Sequence, residues 1–328
     1  MGYLMTMKTE NPDLAQTQSE WRAQTICPVT LILIMLGLAL VPRRAPAQDM
    51  EPRSYSNTPV GMNFLVLTYG RSVGDVFVDA TLPVEDLEAE INSAGVAYVR
   101  TTNFSGRPGK IALILPYAWG SADGKVLGQF ARFRRSGLSD PRVKVSVNFF
   151  GAPALKPREF VKYRQGTVVG ASLQVTFPLG QYDPNLRVNL GTNRWSFKPE
   201  LGVSRALGKW SLEAYGSVSF FTANHNYLRT STLQQQPIGA VQGHIAYNFR
   251  PQLWAAFDAI YFTGGRTRVD GVKRNDLQSN SRYGLTISMP LAQQHSLKFL
   301  FTRGLLTRIG SDFTSVGVAY QFAWGGAQ

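Results

Sequence analysis

The sequence predicts an all-β fold, an antiparallel transmembrane β-barrel of about 12 strands that follows a cleaved signal peptide. Three observations lead to this fold class. A short apolar run stands near the N-terminus, apolar and polar residues alternate along a series of later segments, and most of these segments are longer than ordinary strands. Charged residues make up only 17% of the 328 residues, below the roughly 25% of a typical soluble domain.

The N-terminal stretch predicts an export signal. Residues 28–41 read PVTLILIMLGLALV, which is shorter than the roughly 20 residues that a membrane-spanning helix needs. Ala45-Pro46-Ala47 supplies the small-x-small pattern of a signal-peptide cleavage site. We therefore predict a signal peptide with an N-terminal extension over 1–47 and a periplasmic N-terminal segment over 48–60. A signal anchor or a buried helix is the alternative.

Alternating segments separated by turn-forming residues fill the rest of the chain. Most are roughly 9–13 residues long, whereas globular strands average about 5–6 and membrane-barrel strands need about 9–11. These lengths predict an outer-membrane β-barrel over 61–324 with a C-terminal tail over 325–328. The segments lie near 61–70, 93–103, 110–119, 141–150, 166–178, 195–206, 209–221, 237–249, 252–263, 281–291, 295–303 and 313–324.

The two faces of these strands differ in chemistry. In 141–150, for example, Val143 and Val145 alternate with Arg142 and Lys144. Eight strands already give a barrel whose interior is just filled by side chains, so a larger barrel with an apolar lining would enclose an empty space. The pattern therefore predicts a polar lumen and an apolar outer wall. Charges on the lipid side would be costly, which supports this orientation.

Eight charged residues fall on the predicted lumen face. One reading makes them the lining of a solute pathway, and the other makes them a salt-bridge network that fills and stiffens the barrel. They are Arg142, Lys144, Lys198, Glu200, Glu213, Asp258, Arg282 and Lys298.

The connections alternate between short and long, as in outer-membrane barrels with short periplasmic turns and long outer loops. The short ones are 207–209, 250–252 and 292–295, and the long ones are 222–236, 264–280 and 304–312. By the same parity 179–194 and 120–140 fall on the long-loop side, while 151–166 is long where a short turn is expected. We read 71–92 as a short helix or a loop over the barrel mouth.

The net charge of +13 does not come with the clustered basic and aromatic residues of a nucleic-acid site. No nucleic-acid partner is therefore predicted. The loop residues Arg266, Arg268, Lys273 and Arg274 are either solvated or in contact with anionic lipid head groups such as those of lipopolysaccharide.

The sequence predicts no enzyme, cofactor or metal site. The single cysteine, Cys27, lies in the predicted signal peptide. His225, His244 and His295 are scattered, and neither GxSxG nor HExxH occurs. An outer-membrane hydrolase needs only one His and one Ser, so that alternative stays open.

Four stretches carry a resemblance to a known family: GLSDPRVKVSVNFFGAPAL (137–155), YDPNLRVNLGTNRWSFKPELGVSRALGKWSLEAYGSVSFF (182–221), NFLVLTYG (63–70) and LPYAWGSADG (115–124). Together they resemble the outer-membrane transporter family named after the MetA pathway of phenol degradation, over most of residues 60–324. The resemblance implies an outer-membrane barrel associated with uptake of small, often aromatic or hydrophobic compounds, and it carries no catalytic residues. The chain departs from other barrels in ending on GGAQ rather than on an aromatic residue.

We therefore predict a bacterial outer-membrane channel for passive passage of a small organic solute, with both termini periplasmic. Its partners would be outer-membrane lipid and lipopolysaccharide, the solute, and the barrel-assembly machinery. One alternative is a non-conducting structural barrel whose outer loops bind a partner or lipopolysaccharide.

Overall fold

The structure is a computed structural model, and it describes residues 50–77, 84–126, 129–186 and 188–326. The predicted signal peptide lies outside these residues. Strands dominate the described chain, and none of its helices is long and apolar enough to cross a membrane. The strands are β1 (Met62–Phe77), β2 (Val84–Phe104), β3 (Arg107–Val126), β4 (Gln129–Leu138), β5 (Arg142–Phe150), β6 (Thr167–Thr176), β7 (Ser196–Leu207), β8 (Trp210–Phe221), β9 (Asn224–Tyr227), β10 (Ser231–Gln235), β11 (Ile238–Arg250), β12 (Leu253–Gly264), β13 (Thr267–Val269), β14 (Val272–Lys273), β15 (Gln278–Ala292), β16 (His295–Thr307) and β17 (Gly310–Gly325).

Antiparallel neighbours close the wall into a barrel, as predicted. The order around it is β1, β2, β3, β5, β6, β7, β8, β11, β12, β15, β16, β17, and β17 pairs back onto β1 from Met62↔Gly325 to Phe77↔Gly310. β4 pairs with the later part of β3 and β5 with its earlier part, so the two act as one wall strand. The barrel thus has twelve wall strands.

The predicted faces of the wall are confirmed by the pairing register. In β8, Leu212 points outward and is 42% exposed, whereas the next residue, Glu213, points inward and is 5% exposed. Their partners on β11 alternate in the same way, with Ile245 outside and His244 inside. A one-residue shift would exchange the faces of the whole strand, so the alternation of each strand fixes its register.

The barrel has two unlike ends. At the terminal end, which carries Met62 and Gly325, the connections after β2, β7, β11 and β15 are tight turns of two residues. Ser105 and Gly106 both have positive φ in the first of these, as a type I′ hairpin turn requires. The exception is 151–166, as predicted from the sequence, and it includes the one-turn helix α1 (Pro157–Phe160).

The opposite, loop end holds the longer connections. A loop over 177–195 follows β6, and a four-stranded sheet of β9, β10, β13 and β14 stands over β8, β11, β12 and β15. Asp140 anchors the loop after β6, because its carboxylate accepts hydrogen bonds from the N–H groups of Gly180 (2.9 Å) and Thr192 (2.8 Å) and from the Thr192 hydroxyl (2.7 Å). Asp140, which lies in the stretch 137–155 that carries the family resemblance, is thus a loop anchor.

Three hairpins are taller than predicted at this end. The predicted loop 304–312 reduces to a turn at Arg308 and Ile309, and the stretch 120–140 is mostly the β3–β4 hairpin. The region 71–92 was expected to be a helix or loop, but its described residues are strand.

These tall hairpins, β1–β2, β3–β4 and β16–β17, include strands of 16 to 21 residues. At about 3.3 Å per residue, such strands exceed a hydrocarbon core of about 30 Å even when they tilt. Their outer ends therefore extend beyond the bilayer, where no lipid requires an apolar outer face. The apolar–polar alternation fades there, which is why the sequence pattern was read as loop.

Candidate functional site

The lumen is occupied by the chain's own N-terminal segment. Residues 50–58, here called the plug segment, precede β1 and run along the inside of the wall. Gly61 donates its N–H to the carbonyl of Thr101 (3.1 Å) at the terminal end, while Met50 packs on Ile238 and Phe262 towards the loop end. Of the segment 48–60 that was predicted to be periplasmic, residues 50–58 lie inside the barrel.

Tyr55 is the most deeply enclosed residue of the plug segment, with 1% of its surface exposed. Its hydroxyl lies 3.2 Å from Ser172 Oγ and donates to Glu200 Oε1 (3.1 Å). Its ring meets Tyr215 edge to face at 5.1 Å. Gly202 makes room for this ring, because a Cβ there would lie 2.2 Å from it.

Arg53 attaches the plug segment to β8, β11 and β12 of the wall. Its backbone N–H donates to Glu213 Oε2 (2.6 Å), and its guanidinium donates to Asn248 Oδ1 (2.7 Å). The guanidinium also lies 5.2 Å from the centroid of the Trp254 ring, within the range of a cation–π contact. Its φ of +67° is costly for a side chain with a Cβ, and these contacts hold the backbone in that conformation.

Two lysines of the wall complete the attachment. Lys110 donates from Nζ to the carbonyls of Ser54 (3.0 Å) and Ser56 (3.4 Å). Lys144 donates to Glu51 Oε2 (3.1 Å) and lies 3.9 Å from Glu200 Oε1. The plug segment is thus held mainly by charged and polar side chains.

All eight charged residues that the sequence placed in the lumen lie on inward positions of the register. Lys144, Glu200 and Glu213 contact the plug segment directly. The other five have neighbours on the wall itself. Lys198 Nζ is 3.8 Å from Glu200 Oε2, and Lys298 Nζ lies 5.7 Å from the centroid of the Trp254 ring. Arg282 donates to Thr302 Oγ1 (3.2 Å), Asp258 is hydrogen-bonded to His244, and Arg142 stands opposite Thr176 in the register.

Sequence reasoning missed the partners that the plug segment itself contributes. Arg53 and Tyr55 stand in a stretch without periodicity, so no strand pattern assigns them a face. Lys110 was within a predicted strand, but nothing in its neighbours marks it as a ligand for backbone carbonyls. The signal in the sequence was one basic and one aromatic residue, Arg53 and Tyr55, in the short and otherwise mostly polar segment before β1.

The most buried polar pair of the lumen is His244 and Asp258. His244 Nδ1 lies 2.7 Å from Asp258 Oδ1, and Thr286 donates its hydroxyl to Asp258 Oδ2 (2.7 Å). Within the described residues His244 Nε2 has no hydrogen-bond partner. A hydrolytic triad needs a hydroxyl nucleophile on that nitrogen, so the arrangement seen here is a structural carboxylate–imidazole pair. The described residues also hold no cluster of three or more metal-ligating side chains.

The outside of the wall carries aromatic pairs near both ends. Trp210 meets Tyr247 at 4.8 Å and Tyr98 meets Trp324 at 6.2 Å at the terminal end. At the opposite end Tyr69 and Trp119, 6.1 Å apart, are the corresponding pair. Leu, Val, Ile and Phe dominate the outward positions between these levels, as for Leu65, Leu67, Val96, Leu113 and Ile111. This is the aromatic-bordered apolar band of a membrane barrel.

The basic residues of the loop end lie on or beside the β13–β14 hairpin. Arg268 pairs with Lys273 across it, and its turn is formed by Asp270 and Gly271 at positive φ. The Asp270 carboxylate accepts the N–H of Thr232 (2.7 Å), and this hydrogen bond holds the pKa of Asp270 below its usual range. The hairpin is therefore tied to β10 as well as to its own turn.

Comparison with known proteins agrees with this architecture. Residues 70–322 match the family described as "Putative MetA-pathway of phenol degradation". No curated protein sequence matches the chain.

Solved structures show the same fold. The COG4313 outer membrane channel from Pseudomonas putida F1 is 18% identical, with a TM-score of 0.71 over 84% of this chain and 100% of that one. The transport unit of the Escherichia coli autotransporter AIDA-I is 10% identical, with a TM-score of 0.51 over 85% and 93%. The TodX monoaromatic hydrocarbon channel is 9% identical with a TM-score of 0.45 over 84% and 93%, too distant for an argument about this chain. The fold is that of a bacterial outer-membrane β-barrel.

Proposed function

Because the chain belongs to the phenol-degradation MetA-pathway family, we propose that it is an outer-membrane channel for passive passage of a small organic solute, aromatic or hydrophobic in character. The observation that carries this proposal is the lumen: a closed barrel of twelve wall strands is wider than its own side chains fill, and a segment attached at one end occupies part of the space. The name of the Pseudomonas putida relative, an outer membrane channel, supports the same class.

The proposal includes an orientation. The terminal end, with its tight turns, the start of β1 and the end of β17, faces the periplasm, and the loop end faces outward. Residues 1–47 would be removed on export, and the plug segment would enter the lumen from the periplasmic side. The basic hairpin at Arg268 and Lys273 would then lie at the level of anionic lipid head groups.

The plug segment suits a channel whose lumen is narrowed by contacts that can open. Its contacts with Glu213, Lys110, Lys144 and Glu200 are hydrogen bonds and ion pairs. Such contacts contribute about 0.5–3 kcal/mol each and can exchange with water. A large apolar interface would be harder to open, because it would expose its whole area to water.

A non-conducting barrel is the second candidate, and the occupied lumen is the observation in its favour. An enzyme is the third and has least support, since His244 lacks a nucleophile partner among the described residues.

Two measurements on the purified, refolded protein and on intact cells test the proposal. Planar bilayers should show discrete but small current steps, because the plug segment narrows the lumen. Cells that display the protein should admit N-phenyl-1-naphthylamine, an uncharged aromatic fluorophore, several-fold faster than cells without it. Absence of both effects would identify a structural barrel instead.

A further inference from the structure

The inner surface of the barrel is divided into two chemically unlike parts. The inward positions of β17, β1, β2 and β3 that lie on the loop side of Thr101 and Lys110 form what we call the uncharged strip. In the described residues its positions contain no Asp, Glu, Lys, Arg or His. The strip consists of Phe313, Ser315, Gly317, Ala319, Gln321 and Ala323 on β17; Phe64, Val66, Thr68, Gly70, Ser72 and Gly74 on β1; Ala89, Ile91, Ser93, Gly95, Ala97 and Val99 on β2; and Ala112, Ile114, Pro116, Ala118, Gly120 and Ala122 on β3.

Small side chains dominate the strip, and its hydroxyls are already engaged. Ser72 and Ser315 share a hydrogen bond of 2.7 Å across the β1–β17 pair. Thr68 and Ser93 donate to backbone carbonyls of the wall. A solute moving along this surface therefore meets Gly, Ala and aliphatic groups and few polar atoms that lack partners.

The plug segment lies against the other part of the wall. Its partners Ser172, Glu200, Glu213, Asn248 and Trp254 belong to β6, β7, β8, β11 and β12. Among the strands of the strip, β3 holds the plug segment through Lys110, which lies at the terminal end beyond the strip.

Exposure follows this division. On β8, β11 and β12, opposite the strip, most inward residues are buried, as Asp258 (1% exposed) and Tyr215 (4%) illustrate. On the strip Ala118 (9%) and Ala319 (8%) are buried, but Thr68 and Ser93 are exposed and Ala97 and Ala112 are half-buried. The space that the plug segment leaves free in the lumen is therefore bordered by the strip.

From this arrangement we infer that the solute passes between the plug segment and the uncharged strip, and that the charged lumen residues hold the plug segment instead of lining the pathway. This inference rests on the proposed channel function and refines it. An ion that entered the passage would lose hydration without gaining a partner on the strip. An uncharged aromatic or aliphatic solute loses little there, so the strip selects for it.

The strip continues into an apolar patch at the loop end. Phe313 (3% exposed) and Ala89 pack with Val76, Ile91 and Ala122 on the inner side of the tall hairpins. The inner side of the tall hairpins therefore has the same apolar chemistry as the strip below it.

Thiol accessibility tests the pathway directly. The chain has one cysteine, Cys27, which is replaced by serine first. Ala97→Cys and Ala112→Cys then place a thiol on the strip, and Ser217→Cys places one on the buried inner face of β8 (7% exposed). N-ethylmaleimide, small and uncharged, should modify the two strip cysteines in folded protein at least ten times faster than the Ser217→Cys thiol.

Uptake of N-phenyl-1-naphthylamine before and after modification gives the functional readout. Maleimide on the strip should lower uptake several-fold, and treatment of the Ser217→Cys variant should leave it unchanged. Heat-modifiable migration in detergent verifies that each variant is a closed barrel. Faster labelling of Ser217→Cys, or full uptake with a labelled strip, would overturn the inference.

The two levels of the proposal fail in different ways. If unmodified protein admits no fluorophore and passes no current, the proposed function is wrong and the inference falls with it. If unmodified protein admits the fluorophore but strip labelling has no effect, the channel stands and only the pathway is wrong.

Discussion

At the scale of single residues, Tyr55 does most to hold the plug segment against the wall. Its hydroxyl donates to Glu200 and its ring packs on Tyr215. Tyr55→Ala removes both the ring and the hydrogen bond, and the loss of a large buried aromatic side chain costs about 3–5 kcal/mol. The variant should therefore raise the mean current of the channel in planar bilayers several-fold. Tyr55→Phe keeps the ring and should have a much smaller effect.

A matched control for Tyr55 lies on the outer wall. Tyr69 is exposed on β1 and bonds Asn92 (2.9 Å) outside the lumen, so Tyr69→Ala should leave the current unchanged. An equal rise in both variants would mean that the effect comes from a weakened wall rather than from release of the plug segment.

Gly202 offers a second, independent way to disturb the same contact. A methyl group there would lie 2.2 Å from the Tyr55 ring, whereas at Gly216 nothing lies within 4 Å of an added Cβ. Gly202→Ala should raise the current as Tyr55→Ala does, and Gly216→Ala should not. Because both changes act on one contact, their effects should not add in the double variant; full additivity would show that they act separately.

At the scale of elements, the outward and inward faces of the strands predict which positions tolerate a charge. Leu212 faces lipid and Thr68 on β1 faces the lumen and is exposed. Leu212→Lys should reduce membrane insertion, because a lysine on the lipid face costs about 2–4 kcal/mol at the bilayer midplane and less towards the interface, near which Leu212 lies. Thr68→Lys should insert normally. The fraction of heat-modifiable protein in membranes measures both, and equal insertion would mean that the faces are wrongly assigned.

The loop after β6 depends on one carboxylate. Asp140 is 6% exposed and accepts three hydrogen bonds from Gly180 and Thr192. Asp140→Ala should leave these donors unsatisfied, at about 1–3 kcal/mol for each buried group, and should make 177–195 sensitive to protease on intact cells. The control is Asp183→Ala in the same loop, which is more exposed; equal sensitivity of the two variants would rule out a special role for Asp140.

How much of each element could be foreseen depended on its surroundings. β5 and β8 were predictable because lipid on one side and a polar lumen on the other impose strict alternation, as Val143 and Lys144 show. The tall hairpins were not, because beyond the bilayer no lipid imposes an apolar outer face and residues 71–77 carry no clear period. The plug segment escaped prediction for a different reason: its contacts are made by individual side chains such as Arg53, and no repeating pattern records them.

At the scale of the whole molecule, closure of the wall is the property on which every function discussed here depends. The pairing of β1 with β17 over 16 residue pairs closes the circle of wall strands, so the native barrel should resist detergent and migrate faster than the heated form on a gel. Deletion of β17 should abolish this difference. Persistence of the fast form without β17 would mean that the wall closes in another register.

The same pairing has a consequence for the time course of folding. Met62 and Gly325, partners in the register, stand at opposite ends of the barrel sequence, so β1–β17 is the contact of greatest sequence separation and we expect it to form late. The uncharged strip spans this junction, with β17 on one side and β1, β2 and β3 on the other. The surface that we assign to the solute is thus completed only when the barrel closes, and a partly assembled wall would hold its anchoring charges before it possessed a route for the solute.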